Sequence, residues 1–196
     1  KISNLFSEMI AIWIISTWEL FGKPKKINVV ELGPGDGSLT KVLLEVFQKF
    51  PRFNASKKIY LYEMSNFLRK VQKKNIINKE VKWINSLDNI KEGPVIFFGN
   101  EFFDAIPIKQ LKFQNNFYYE KYYTRKFNSK IKVIFKKVIS SDIKMIKSFK
   151  TLKNQKFIEF PKKGLEILEK IIKKILKLRG CILMIDYGYL KSKNLD

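Results

Sequence analysis

The chain has 196 residues, 45% of them hydrophobic, and a formal net charge of +21. This length and composition predict a single domain with a complete hydrophobic core. The single cysteine and the absence of histidine exclude an internal disulfide, a histidine base and a histidine-ligated metal, and they argue against a thiolate zinc site. No apolar run reaches the roughly 18–20 residues that a membrane span requires.

The first quarter of the chain predicts a helix, a strand and a second helix. Ser3 is expected to cap a helix that runs to about Phe21. One face of this helix is predicted to comprise Leu5, Met9, Ile12 and Trp13. A short apolar strand follows at Ile27–Leu32, and apolar residues at three- and four-residue steps then predict a helix over 39–50 that stops at Pro51.

Three more strands are predicted before residue 100. The first is Ile59–Tyr62, which ends in Glu63, and the others are Val81–Ile84 and Val95–Phe98. A helix between the first two is indicated by Phe67, Leu68 and Val71. Because strands and helices alternate and the strands are apolar, we expect a mostly parallel sheet with helices on both faces.

The pattern changes after Pro107. Residues 108–114 and 117–127, separated by Asn115 and Asn116, predict an antiparallel hairpin, and "KIKVIFKKV" at 130–138 is a candidate third strand. Residues 140–156 are polar and receive no assignment. We expect segment 108–156 to be an insertion at the carboxyl edge of the sheet, where folds of this type bind ligands.

The last predicted elements are a helix and a fifth strand. Apolar positions from Leu165 to Leu176 mark the helix, and its other side is rich in lysine. Gly180 is expected to close it as a C-cap glycine. The stretch "CILMIDYGY", residues 181–189, is the predicted strand.

The most informative motif is "ELGPGDGSL", between the first predicted strand and the helix that follows it. Gly33, Gly35 and Gly37 permit positive φ angles and a close approach of a ligand to the backbone. A dinucleotide site favours Gly-x-Gly-x-x-Gly, whereas here the third glycine comes one residue early and Ser38 takes the sixth position. A purely structural glycine turn is the alternative.

Acidic residues around this loop favour a cationic ligand over pyrophosphate. Glu31 precedes the loop and Asp36 lies within it. Glu63, at the end of the second strand, is placed to accept the ribose hydroxyls of a nucleoside. These residues together predict binding of S-adenosylmethionine (SAM), with Glu31 or Asp36 facing its amino acid part. Asp88, after the third strand, is a candidate for the adenine side, and a surface turn explains it equally well.

A second polar motif, "FFGNEFFDAIP", follows the fourth strand. Asn100, Glu101 and Asp104 are expected at the carboxyl edge of the sheet, beside the methyl donor. Carboxylates pair with a guanidinium in a fork geometry, so these residues suit a cationic nucleophile. Asp186 and Tyr187, at the end of the fifth strand, are candidates for the acceptor side, or they simply terminate a core strand.

Several segments resemble the MidA-like methyltransferases, the family of the mitochondrial complex I assembly factor that methylates arginine. "ISNLFSEMIAIW" is similar to the N-terminal helix of that family, "VVELGPGDGSL" to its glycine loop, "NEFFDAIPIKQ" to its Asn-Glu-Phe-Phe-Asp-Ala segment and "LMIDYGY" to a later strand. The resemblance implies a Rossmann-like class I SAM methyltransferase fold, SAM as cofactor and protein arginine as acceptor. It also implies a role in respiratory complex I assembly.

Two departures from the family pattern matter. Ser7 stands where the family has a glycine, which affects the role expected of Glu8. The chain also stops after its fifth predicted strand, whereas this fold usually continues with two more, so we expect a truncated domain. The compartment is expected to be the mitochondrial matrix if the protein is organellar and the cytoplasm if it is bacterial.

Three alternative functions stay open at this stage. The first is a SAM methyltransferase with another acceptor, such as RNA or a small molecule. Lysines scattered over every segment favour a solvated basic surface over a nucleic-acid site, although "FYYEKYYTRKF" at 117–127 mixes aromatic and basic residues. The second is a non-catalytic assembly module. The third, a nicotinamide-dependent oxidoreductase, is disfavoured by the glycine spacing and Ser38.

Overall fold

The structure is a computed structural model that describes residues 3–77, 80–125, 130–149 and 155–187. Contacts divide it into two units, of which the first comprises the described residues up to Asp104 together with Leu168–Tyr187. The described residues of Ala105–Ile167 belong to the second unit. In chain order the second unit is therefore inserted into the first.

Helix α1, Asn4–Leu20, begins where the sequence predicts, because the Ser3 side chain accepts a hydrogen bond from the Phe6 amide and so caps the helix. The predicted apolar face is wrong for three of its four residues. Leu5, Met9 and Ile12 are exposed, whereas Trp13 packs against the core. The buried side of α1 comprises Ser7, Ile10, Ala11, Ile14, Ile15, Thr17 and Trp18. The helix is apolar on most of its circumference, so periodicity alone did not identify the packed side.

The first unit contains a five-stranded parallel sheet in the order β3-β2-β1-β4-β9, which confirms the predicted fold class. The strands are β1 (Ile27–Leu32), β2 (Lys57–Tyr62), β3 (Val81–Ile84), β4 (Val95–Asn100) and β9 (Gly180–Ile185). All six residues of central β1 are buried, as expected for a parallel strand covered on both faces. The five predicted strands therefore all form, and residues 188 and 189 of the last prediction lie outside the described residues.

Besides α1, the α-helices of this unit are α2 (Ser38–Gln48), α3 (Pro51–Ser56), α4 (Asn66–Asn75) and most of α6 (Lys162–Leu178). Pro51 was predicted to stop a helix, and α2 does end before it. Pro51 also begins a further helix, since it occupies the first turn of α3, where its missing N–H costs nothing. Leu39, Leu43 and Phe47 of α2 are buried at the predicted helical spacing, and Phe47 packs edge-on against Phe53 of α3.

The role predicted for Gly180 is wrong. Arg179, with φ +58°, adopts the left-handed conformation after α6, and Gly180 is already the first residue of β9. A Cβ atom at Gly180 would lie 2.2 Å from the carbonyl oxygen of Val95 on neighbouring β4. The glycine is therefore required by the close approach of two backbones and not by the helix end.

The second unit is built on an antiparallel sheet in the order β7-β6-β5-β8. Its strands are β5 (Lys109–Gln114), β6 (Phe117–Thr124), β7 (Lys132–Lys137) and β8 (Phe157–Phe160). Asn115 and Asn116 both have positive φ, as a two-residue hairpin of type I′ requires. The hairpin and the candidate third strand are confirmed, and residues 126 and 127 of the prediction lie outside the described residues.

Two elements of the second unit were not predicted, β8 and helix α5 (Ser140–Ser148). They close a small apolar cluster that includes Leu111, Ile146 and Phe160. Beside it Asp142, which is 1% exposed, pairs with Lys109 at 2.9 Å and with Lys162 at 2.6 Å. These charges tie β5, α5 and the start of α6 together, and the hydrogen bonds from both lysines keep the pKa of Asp142 below its ordinary value despite burial.

The neighbouring strands β6 and β7 carry several lysines and aromatic residues. Tyr122 and Tyr123 are exposed, and Lys136 and Lys121 lie over their rings at 5.2 and 5.0 Å.

Within the part of the chain that the structure describes, no helix is both long and apolar enough to cross a membrane.

The reassigned face of α1 gives a stability prediction with a matched pair of isoleucines. Ile14 is 0% exposed and Ile12 is 46% exposed on the same helix. Replacing Ile14 by alanine should lower the free energy of unfolding by about 2–5 kcal/mol, because it leaves a cavity in the core. Ile12→Ala should cost less than about 1 kcal/mol. Urea unfolding of both variants is the measurement, and equal losses would contradict the assigned face.

Candidate functional site at the carboxyl edge of the parallel sheet

The three glycines of the loop between β1 and α2 are all left-handed, but they serve different purposes. Their φ angles are +63°, +56° and +84° for Gly33, Gly35 and Gly37. A Cβ at Gly33 would meet the ring of Phe102 at 2.9 Å, and one at Gly37 would meet the Ile76 side chain at 2.8 Å. At Gly35 no described atom lies within 4 Å. Two glycines thus let the protein pack on itself, and Gly35 leaves the loop open to a ligand.

Helix α4 holds the outer side of this loop. The Gln72 side-chain amide donates to the carbonyl oxygen of Gly35 at 2.8 Å, and that of Asn75 donates to the carbonyl oxygen of Asp36 at 2.9 Å. Because these carbonyls are fixed from outside, the conformation of the loop does not depend on the glycines alone. Sequence reasoning missed both side chains, since it looked for apolar residues on α4.

The carboxylate of Asp36 has a local structural partner. It accepts a hydrogen bond at 2.9 Å from the amide of Ser38, the first residue of α2. This bond lowers its pKa below the ordinary value. Asp36 is exposed, and nothing in the structure tests its predicted role toward a ligand, which stays a prediction.

Glu31 is buried, at 3% exposure, at the end of β1. Burial raises the pKa of its carboxyl group from 4.5 to about 7; a hydrogen bond from the Thr40 hydroxyl opposes this rise and the charge of Asp36 adds to it. A carboxyl in this environment ionises more readily when a cation arrives. Glu31 therefore has the chemistry to receive an ammonium or sulfonium group.

Glu63 follows β2 and is also buried, at 8% exposure. One carboxylate oxygen accepts from the Ser65 amide at 2.7 Å, and the other accepts from Gln72 at 3.2 Å. A carboxylate offers about four acceptor positions, so two of them are left for other donors. The side chain is held in one orientation and still has the capacity to accept a pair of hydroxyl groups.

The polar motif after β4 also lies at this edge. Asn100 is the last residue of β4 and pairs with Ile185 of β9. Glu101 has φ +52°, an unusual conformation for a non-glycine residue, and its amide donates to the Ile185 carbonyl at 2.8 Å. Strain of this kind costs about 1–3 kcal/mol and occurs frequently at functional sites.

Asp104 and Tyr187 interact at the end of the same motif. The charge of the Asp104 carboxylate and its hydrogen bond with the tyrosine raise the pKa of the Tyr187 hydroxyl, and Asp186 and Glu101 add to the effect. The structure thus brings three carboxylates and a phenol into electrostatic reach of one another. Their roles in catalysis stay predictions.

Phe102 links this motif to the glycine loop. Its ring lies against Gly33 and makes an edge contact with Tyr62 at the end of β2, with ring centroids 6.3 Å apart. One side chain therefore contacts the ends of β1 and β2 from a segment that follows β4. Sequence reasoning named the polar residues around Phe102 but not the ring itself, which packs on the glycine loop.

Asp88 is the predicted residue for which the structure gives another explanation. It lies in a short 3-10 helix, Leu87–Asn89, with its side chain 93% exposed and 3.6 Å from Lys174 of α6. The ion pair accounts for Asp88 as a surface residue, and its contact with an adenine ring stays a prediction.

The described residues contain no cluster of three or more His, Cys, Asp or Glu side chains that could hold a metal ion.

The donors and acceptors at this edge fit a nucleoside that carries a cation. Gly35 provides a place where no side chain obstructs the backbone, Glu63 provides free acceptor positions, and Glu31 provides a buried carboxyl for a positive group. The combination does not suit a pyrophosphate, which would meet carboxylates at the loop.

Comparison with known proteins bears on this interpretation. A model of a family described as putative S-adenosyl-L-methionine-dependent methyltransferases matches residues 9–195. The protein arginine methyltransferase NDUFAF7 of Xenopus laevis mitochondria is 27% identical over 98% of this chain and 50% of its own length. Its counterpart in Danio rerio is 28% identical over 96% of this chain and 50% of its own length. The chain thus spans about half the length of these relatives.

Solved structures agree on the fold. A likely methyl transferase from Burkholderia thailandensis, bound to S-adenosyl-homocysteine, superposes with a TM-score of 0.71 at 17% identity, over 95% of this chain and 48% of that one. A second structure from that organism gives a TM-score of 0.72 at 18% identity, over 96% of this chain and 50% of that one.

The raised pKa of Glu31 predicts a stability that depends on pH. The folded state binds a proton at Glu31 more tightly than the unfolded chain does, with a pKa of about 7 against 4.5. The free energy of unfolding should therefore fall as the pH rises from 5 to 8, by about 2–3 kcal/mol from this group. Glu31→Gln, which cannot titrate, should lack that fall.

Denaturant unfolding of the wild type and Glu31→Gln at intervals between pH 5 and 8 is the measurement. Other titrating groups are common to both proteins and cancel in the difference between their unfolding free energies. Two parallel curves would show that Glu31 does not titrate in this range.

Proposed function

The chain belongs to the family of putative S-adenosyl-L-methionine-dependent methyltransferases, and on that premise we propose that it transfers a methyl group from SAM to a protein arginine side chain. The observation that carries the proposal is the meeting of two motifs at one edge of the sheet. Phe102 of the "NEFFDA" segment lies on Gly33 of the glycine loop, so a cofactor on the loop and an acceptor at the acidic motif would be neighbours.

On the cofactor side, each residue would contact a different part of SAM. Gly35 lets the cofactor lie against the backbone, Glu63 accepts the ribose hydroxyls, and Glu31 faces the amino acid part. Gly33 and Gly37 hold the loop in shape by packing on Phe102 and Ile76. When bound, SAM supplies a methyl group on a positively charged sulfur, which is a good leaving group.

On the acceptor side, Glu101 and Asp104 would pair with the guanidinium, and Asn100 would orient it through its amide. Carboxylates hold a guanidinium by parallel hydrogen bonds, so one of its nitrogens can be aimed at the methyl carbon. As that nitrogen bonds to the methyl carbon, the bond from this carbon to sulfur would break and the neutral thioether would leave. The nitrogen would pass its proton to the adjacent carboxylate or, through it, to water, and the same carboxylate would stabilise the positive charge until then. Positioning provides much of the rate in such a displacement.

The acceptor protein, the complex and the compartment are the finer part of the proposal. Two relatives are 27% and 28% identical to this chain, which covers 50% of the length of each. Both are named as mitochondrial protein arginine methyltransferases. We infer that the acceptor is a protein, with a subunit of respiratory complex I as the candidate. The matrix is the compartment if the source is organellar, and the cytoplasm if it is bacterial. We also infer that residues 108–156 are an insertion in a single methyltransferase domain.

The cofactor is tested by titrating the purified protein with S-adenosylhomocysteine in a calorimeter, with NAD as the control ligand. We expect micromolar binding of the former and none of the latter. Glu63→Ala should weaken binding by at least tenfold, since hydrogen bonds to a charged group are worth about 1.5–3 kcal/mol. Glu92→Ala removes a side-chain carboxylate that is 72% exposed and should leave the affinity unchanged. Equal affinity in both variants would refute the role of Glu63.

The acceptor side is tested by Glu101→Gln. This variant should bind S-adenosylhomocysteine normally and transfer labelled methyl groups from SAM to protein about 100-fold more slowly, a typical loss when a charge-stabilising group is removed. Glu45→Gln, at an exposed position of α2, is the matched control. Normal transfer by Glu101→Gln would remove Glu101 from the mechanism, and label found in RNA in place of arginine would favour the alternative acceptor.

A further inference from the structure

Gln72 is the one residue of α4 that is fully buried, at 0% exposure. A buried amide must find partners for one acceptor and two N–H groups, or its desolvation costs free energy. Gln72 finds all three within the site. The indole N–H of Trp83 donates to its oxygen at 2.9 Å, and its nitrogen donates to Gly35 and to Glu63.

The orientation of this amide follows from its neighbours. An indole N–H can only donate, so the oxygen of Gln72 must face Trp83. The carbonyl of Gly35 and the carboxylate of Glu63 can only accept, so the nitrogen must face them. The two possible orientations of the side chain are therefore not equivalent, and only one satisfies every group. The hydrogen bond from Trp83 thus fixes the direction in which the Gln72 amide donates.

The two groups that Gln72 holds are the two that the proposed function assigns to opposite parts of the cofactor. Glu63 is the ribose carboxylate, and Gly35 is the open point of the glycine loop. One amide fixes the distance between them, with N–O separations of 3.2 Å and 2.8 Å. Asn75, on the next turn of α4, supports the loop separately, through the carbonyl oxygen of Asp36.

We propose that Gln72 is a positioning residue for the cofactor, which sets the Glu63 carboxylate in the direction of the ribose hydroxyls and in register with the glycine loop. This inference rests on the proposed function and adds a residue to it. Without the amide, the Glu63 carboxylate loses one of the two hydrogen bonds described above and keeps the one from the Ser65 amide, so its second oxygen is free to turn away. The ribose would then lose a fixed partner, and the loop would lose one of its two supports from α4.

The test uses two ligands that differ only in the ribose, S-adenosylhomocysteine and its 2′-deoxy analogue. The wild type should prefer the former by about tenfold or more, because the lost hydrogen bond is to a charged group. Gln72→Met has nearly the same shape without donors, and it should reduce the preference to less than about threefold. A purely structural role would weaken both ligands equally and leave the ratio unchanged.

Two further variants complete the design. Lys70→Met, at an exposed position of the same helix, should keep the wild-type ratio. If Gln72→Met does not fold, as judged by its thermal transition, Gln72→Asn takes its place, because its shorter amide keeps polar groups in the site but does not reach Gly35, Glu63 and Trp83 together. A wild-type ratio in the Gln72 variant that folds would overturn this inference alone. If the folded wild type binds neither ligand, the proposed function and this inference fail together.

Discussion

The parallel pairing of β1 with β2 on one side and β4 on the other is the constraint on which the site depends. Leu32 pairs with Tyr62 and Glu31 with Phe98, so the chain leaves three adjacent strands at the same edge of the sheet. Backbone hydrogen bonds between parallel strands fix this register, and the burial of both faces prevents a slip. The glycine loop, Glu63 and the acidic motif are neighbours because the strands that precede them are neighbours.

The second layer of the site is made of polar groups that the protein buries and satisfies. Glu31 is paired with the Thr40 hydroxyl, and Glu63 and Gln72 are paired with each other. An unsatisfied buried polar group costs about 1–3 kcal/mol. Each of these side chains therefore stays in the one geometry that keeps its hydrogen bonds. A satisfied network of this kind gives a preorganised site, in which little reordering is needed when a ligand binds.

Prediction from sequence worked where a residue type has one dominant local meaning. Asn115–Asn116 indicated a hairpin because both residues tolerate positive φ, and the structure has that turn. It failed where a residue type has several meanings. Gly180 was interpreted as a helix cap, whereas the approach of Val95 requires it. The inner face of α1 was assigned wrongly because apolar residues surround the helix. The polar inner side of α4 was missed because an amphipathic pattern predicts apolar contacts.

The sequence by itself determined the order of the elements of the first unit's sheet, the parallel sheet and the candidate site residues, because these follow from apolar periodicity and from glycines and carboxylates at strand ends. Tertiary structure alone decided how those residues are supported. Phe102 meets Gly33 across 69 residues of chain, and Gln72 meets Gly35 across 37. No local pattern encodes such pairs, since they depend on packing between elements that are distant in sequence.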